Sequence, residues 1–255
     1  MTEPQPGFLA KVNPVTPFAA AILYSLPMLT TIDRVSALVA LGIWLIVFFA
    51  LGVGPRTIVR RSWPLFIAAP LSAVSMLLYA EPGGQEYAGF WLARITDNSI
   101  ELAIAVGVRV LAIGVPTLVL LVGVDPTRLA DGLAQVAKLP ERFVLGALAG
   151  IRLFSVFSED WKSMARARRA RGLGDSGVVR RFFTMAFALL VLAIRRGGSL
   201  ATAMEARGFG AGPRTWARAS TLTWRDTVAI FGTVAIAAIA IGIAIVLGSY
   251  RLVGT

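Results

Sequence analysis

Ala167-Arg168-Arg169-Ala170-Arg171-Gly172-Leu173-Gly174 returns as Ala203-Met204-Glu205-Ala206-Arg207-Gly208-Phe209-Gly210. Both copies fit A-x-x-A-R-G-[LF]-G, agree at five of eight positions and stand 36 residues apart. Alanine and arginine favour helix, and a glycine that follows them favours a helix C-terminus because it adopts positive φ without a Cβ penalty. Each arginine is therefore expected in the last turn of its helix. The small alanines beside it leave room for another molecule to approach. A single copy would be explained as an arginine complementing the negative end of its own helix dipole, worth about 0.3–1 kcal/mol. Capping alone does not explain why the pattern recurs.

Composition sets the surroundings of these two ends. The chain has 255 residues, 56% of them hydrophobic and 15% charged, with a mean hydropathy of +0.74. A soluble domain carries about a quarter charged residues, so this is a membrane composition. There is no cysteine and no histidine. That excludes disulfides, thiol nucleophiles and the usual zinc sites, and removes the commonest general base. No metal site and no catalytic residue is expected. Residues 1–11 lack the basic start and small-residue cleavage site of a signal peptide, so the first apolar segment is expected to stay in the mature protein.

The charge is concentrated. Residues 126–225 hold 17 Lys/Arg against six Asp/Glu, which accounts for the whole net charge of +11. In a membrane protein such a block marks the cytoplasmic side. Nucleic-acid binding is the other reading of a basic block. It fits poorly, because this block is also rich in Leu, Phe, Ala and Val; no nucleic acid is expected as a partner.

Outward from the block, the apolar segments are 12–32, irregular and proline-containing, then 35–53, 62–80, 90–124 and 227–247. Segments of 19–21 uncharged residues are long enough to cross about 30 Å of hydrocarbon. Arg56, Arg60 and Arg61 form a basic loop expected inside. The acidic, turn-rich loop at 81–86 is expected outside. In segment 90–124 the start is amphipathic, with Arg94, Asp97, Asn98 and Glu101 at helical spacing on one face. Arg109 lies deeper, where an ionisable residue is by default a functional candidate; snorkelling or pairing with a polar group inside the bundle explains it equally well. Asp125-Pro126 begins a helix with Asp as N-cap and Pro at the first position. Leu139-Pro140 breaks it. A longer amphipathic helix over 141–172 follows, too charged to cross. The 13 apolar residues 182–194, bracketed by Arg180-Arg181 and Arg195-Arg196, are short for a span and suit an interfacial or buried helix that continues to the second copy. Turns are expected at Asp175-Ser176-Gly177 and after Gly210, and Trp224 and Tyr250 are placed as interface anchors of the last span.

The fold class is thus an all-α membrane protein of about five transmembrane helices with long amphipathic cytoplasmic helices. The expected division is 1–124 as a four-span membrane domain, 125–225 as the basic cytoplasmic domain and 226–255 as the last span, with the N-terminus inside.

The paired Ala-Arg-Gly motifs, Asp125-Pro126-x-x-Leu129 and Leu139-Pro140 ahead of the long helix resemble the transmembrane T component (EcfT or CbiQ type) of energy-coupling factor transporters. These are ABC importers for vitamins and metal ions. The resemblance covers nearly the whole chain. It implies two long coupling helices crossing in an X, each ending in a motif that docks in a groove of one of two cytoplasmic ABC-type ATPases. Ala170, Arg171, Gly172, Ala206, Arg207 and Gly208 would be the docking residues. It implies a membrane-embedded, substrate-binding S component as a further partner, and a prokaryotic cell membrane as the location. ATP and magnesium would belong to the ATPases, and this chain would be a non-catalytic subunit without a cofactor. The alternatives are a solute permease that moves substrate through its own bundle, an intramembrane enzyme, for which no carboxylate pair or Ser–Lys dyad is found, and a peripheral scaffold on anionic lipid.

Overall fold

A computed structural model describes residues 12–80, 83–90, 93–173, 177–209, 215–216 and 218–250. Among them are nine helices and one two-stranded hairpin. The helices are α1 (Val15–Leu29), α2 (Arg34–Ala50), α3 (Pro55–Ser62), α4 (Leu65–Tyr79), α5 (Asp97–Leu121), α6 (Pro126–Gln135), α7 (Glu141–Ala170), α8 (Val178–Ala206) and α9 (Trp224–Val246). The strands are β1 (Glu86–Phe90) and β2 (Ala93–Thr96), antiparallel. The N-terminal residues 1–11 and the turns expected at Asp175-Ser176 and at Gly210 to Pro213 lie outside the described residues.

Helices α5 and α9 are long and apolar enough to cross a membrane, at 25 and 23 residues. The pair α3–α4, bent by 58° at the break that carries Pro64, makes a third if it counts as one span. Helices α1 and α2 are apolar but shorter, at 15 and 17 residues. The first apolar segment is thus a regular helix over most of its length, with Pro27 in its last turn.

Two expectations are corrected. Segment 90–124 is not one helix. Phe90 ends β1 and Ala93–Thr96 form β2, and α5 starts only at Asp97, where the Thr96 side chain accepts the Ser99 N–H as N-cap. Arg94 is therefore on a strand and does not share a helical face with Asp97 and Glu101. The Arg56–Arg61 stretch is a helix, not a loop. Gly54-Pro55 puts proline at its first position, where the missing N–H is lost at no cost. Arg61 is buried there and donates from Nη1 to the Val119 carbonyl at 3.3 Å.

The chain divides into two compact units, Met1–Gly132 with Ser220–Thr255, and Leu133–Ala219. The first unit buries Tyr24, Met28, Trp44, Phe48 and Val119 with the small faces of Ala40 and Ala240. Tyr24 and Trp44 meet edge to face at 5.6 Å, and the Tyr24 hydroxyl donates to the Ala112 carbonyl at 2.8 Å. The phenol thus places its apolar ring in the core and satisfies its polar end on a helix carbonyl. Helix α4 packs on α5, where a Cβ on Gly114 would meet Leu65 at 2.5 Å.

Polar groups fix the first unit at both ends. Asp226, 1% exposed, accepts four hydrogen bonds: Asn13 N–H (2.7 Å) and Thr16 hydroxyl (2.7 Å) on Oδ1, Thr223 N–H (2.6 Å) and hydroxyl (2.7 Å) on Oδ2. The bonds to Thr223 close a capping box at the start of α9, and those to Asn13 and Thr16 tie that start to α1. Asn13 also donates to Ser220 Oγ at 2.8 Å and to the Thr221 carbonyl at 3.2 Å. At the other end, Arg109 pairs with Asp33 at 3.4 Å and donates to Thr31 Oγ1 at 2.8 Å and Ser36 Oγ at 3.3 Å. The deep arginine is thus held by the polar turn between α1 and α2.

The second unit contains α7 and α8. Helix α6, whose last three residues belong to this unit, begins as expected: the Asp125 carboxylate accepts the Thr127 N–H at 2.8 Å and its carbonyl accepts Leu129 N–H at 2.9 Å. Helix α7 starts directly after Pro140 and runs 30 residues; α8 runs 29.

Candidate docking ends of the two long helices

Each motif closes one long helix. In the first, Ala170 is the last residue of α7 and Arg171 its C-cap, with φ −90 and ψ 10. In the second, Ala206 ends α8 and Arg207 is the C-cap, with φ −88 and ψ 9. Each arginine is thus one position beyond the last helical residue. Gly172 and Gly208 both take φ +70.

The hydrogen bonds repeat as the sequence does. Gly172 N–H donates to the Arg169 carbonyl at 3.1 Å and Leu173 N–H to Arg168 at 3.0 Å. Gly208 N–H donates to Glu205 at 2.9 Å and Phe209 N–H to Met204 at 2.9 Å. This double pattern is the Schellman closure, in which a left-handed residue turns the chain and satisfies carbonyls that the helix leaves open. The residue after the glycine must reach back, and in this motif it commonly meets an apolar neighbour on the helix. Leu173 and Phe209 occupy that position. The final glycines, Gly174 and Gly210, lie outside the described residues.

All six expected docking residues, Ala170, Arg171, Gly172, Ala206, Arg207 and Gly208, are exposed. A Cβ at Gly172 would meet nothing within 4 Å. None of the ion pairs Arg34–Glu101, Arg109–Asp33 and Arg196–Asp160 engages Arg171 or Arg207. Each end therefore offers a guanidinium with a planar fork of donors, suited to a carboxylate or to clustered carbonyls, on a cap whose direction is fixed.

Three groups were missed by reading the sequence locally. The Asp226–Asn13 knot and the Asp33–Arg109 cluster join residues 213 and 76 positions apart, with no local pattern to announce them. The third is the Asp160–Arg196 pair between α7 and α8, which carries the same 36-residue separation as the motifs. That offset was the available signal.

Comparison with known proteins agrees with this architecture. The family model described as CbiQ, cobalt transport protein, matches residues 10–217. Three similar proteins carry the description energy-coupling factor transporter transmembrane protein EcfT. The one from Exiguobacterium sibiricum is 28% identical over 209 residues, covering 75% of this chain and 79% of its own length. The one from Brevibacillus brevis is 24% identical over 261 residues, covering 97% and 96%. The one from Limosilactobacillus fermentum is 29% identical over 181 residues, covering 66% and 67%. With two matching helix caps at the end of two long helices, and a family match that spans α1 to α8, the chain belongs to the CbiQ family, the transmembrane T components of energy-coupling factor transporters.

Proposed function

We propose that this T component couples two cytoplasmic ATPases to a substrate-binding S component in the membrane. Arg171 and Arg207 each dock in an acidic or carbonyl-lined groove of one ATPase. Closure of the ATPases on ATP moves α7 and α8, crossed in an X, and the helices tilt the S component to release vitamin or metal ion. ATP and magnesium stay on the ATPases, and this chain carries out no chemistry. The basic block faces the cytoplasm of a prokaryotic cell.

The observation that carries this reading is the pair of matching caps. Two ends with the same backbone and the same exposed arginine, engaged by none of the ion pairs given above, suit two similar receptors. An arginine that only complemented its own helix dipole would not require the flanking alanines or the repeat. The second copy has Glu205 where the first has Arg169, so the two ends differ in local charge and suit two unlike grooves.

The test is affinity purification of the chain from native membranes in mild detergent, as wild type and as Arg171→Ala/Arg207→Ala. The wild type is expected to bring down two ATP-binding-cassette subunits and a small hydrophobic protein. The double variant is expected to stay in the membrane, keep the hydrophobic protein and lose the ATPases, with truncation of each charged contact costing about 2–5 kcal/mol. ATPases retained by the double variant would refute the docking role.

A further inference from the structure

Asp160 on α7 and Arg196 on α8 meet at two points. Nη1 of the guanidinium contacts one carboxylate oxygen, and Nη2 donates to the other at 3.4 Å. Next to Asp160 on α7, the Trp161 ring lies 5.7 Å at 60° from Phe182, which stands 14 residues before Arg196 on α8. This ion pair joins the two long helices.

Its position within the repeat matters. Asp160 stands 11 residues before Arg171, and Arg196 stands 11 residues before Arg207. The contact therefore joins the same position of both copies. At the α-helical rise each cap lies about 16 Å along its helix from the contact. Equal arms have a mechanical consequence: a rotation of one helix against the other about this point moves both ends by equal amounts, about 3 Å for every 10°.

We infer that Asp160 and Arg196 are positioning residues, the pin that sets the distance and angle between the two Ala-Arg-Gly ends. The inference rests on the docking reading given above. A pin needs direction. The Trp161–Phe182 contact is apolar, and apolar contacts permit sliding and rotation. A guanidinium facing both oxygens of a carboxylate is planar and directional. The pair is partly open to its surroundings, with side chains 37% and 23% exposed. Pairs so exposed add little to stability, so removing this one leaves the helices folded while freeing their mutual geometry.

The chain has no cysteine, which makes the geometry measurable. Ala167 and Ala203 are exposed, equivalent in the repeat and seven residues beyond the pin. Spin labels on Ala167→Cys/Ala203→Cys in the full chain, held in lipid nanodiscs, report the distance between the arms. A single narrow distribution is expected with the pair intact. Asp160→Ala and Arg196→Ala are each expected to broaden it at least about twofold, and to weaken ATPase docking in the assembled transporter about fivefold or more. The reversed pair Asp160→Arg/Arg196→Asp is expected to restore both the narrow width and the docking, which a merely structural loss would not do. Unchanged width in the single variants, or a reversed pair no narrower than they are, overturns the pin. If the widths respond as expected while Arg171→Ala/Arg207→Ala keeps its ATPases, the docking reading falls and the pin stands. If the ATPases require the arginines while the widths ignore Asp160, the pin alone falls.

Discussion

Gly172→Ala and Gly208→Ala isolate the backbone of the two caps. Both glycines hold φ +70, a region in which an L-residue loses about 1–2 kcal/mol relative to the right-handed form. At Gly172 the new methyl group would meet nothing within 4 Å, so no clash adds to the cost there. The whole effect at that position is conformational. If the free end can relax but the docked end must keep this cap, the loss appears in docking, as about a 5- to 30-fold rise in Kd for one end. The two caps belong to different helices, so the double variant should approach the sum, about 2–4 kcal/mol. The assay is a titration of purified ATPase onto the chain in nanodiscs, with each variant side by side. Gly208→Asn should lose less than Gly208→Ala, because asparagine tolerates the left-handed region. Gly177→Ala is the control: this glycine has φ −39 at the start of α8, and its Cβ would also meet nothing within 4 Å. Docking by Gly172→Ala/Gly208→Ala at wild-type strength would refute the requirement for the cap. Equal harm from Gly177→Ala would show that the effect is not specific to positive φ.

Three further changes probe the scaffold that carries these helices. Asp226→Asn replaces an acceptor of four hydrogen bonds with an amide that turns an N–H toward donors; a loss of about 2–4 kcal/mol is expected as lower thermal stability in detergent, and an unchanged Tm would argue against a buried carboxylate there. Arg109→Met leaves Asp33 buried without its cation, at a cost of about 3–5 kcal/mol, whereas Arg109→Met/Asp33→Asn should recover part of it; equal stability of single and double variants would break the pairing. Gly132→Val would drive a Cβ to 2.5 Å from Val15 Cγ2 and 3.0 Å from Asn13 Oδ1, costing about 1–3 kcal/mol, while Gly146→Ala, with nothing within 4 Å, should be neutral or stabilising; protease resistance of the two variants compares them.

What the sequence makes legible here is local chemistry that repeats. The Schellman glycines, the Asp125-Pro126 start and the break at Pro140 each depend on a few neighbouring residues whose backbone preferences are strong. Helix α8 was legible for the same reason: its apolar run and flanking arginines have one period throughout. The hairpin was not legible. Phe90-Trp91-Leu92-Ala93 is apolar enough to pass for the beginning of a span, and the apolar signal of α5 right after it hides the boundary. The only local hint of that boundary is Thr96-Asp97, a capping residue followed by an acid, which carries less weight in a window sum than four apolar side chains. The partners of Asp226 and Arg109 are set by tertiary packing, and one sequence has no local trace of them.

The Asp160–Arg196 pair falls between these cases. Its two members are ordinary charged residues on amphipathic helices, and each would pass alone for part of a solvated face. Aligning the copies by their arginines puts Asp160 opposite Arg196, an acid opposite a base, at the same distance from each cap. At this offset Glu159/Arg195, Asp160/Arg196 and Arg169/Glu205 all differ by opposite charge, and it is the structure that brings Asp160 and Arg196 together. The repeat thus carries two kinds of information. Positions where the copies agree describe what each end offers to a partner, and the complementary position whose side chains meet, Asp160 with Arg196, describes how the two ends are held together.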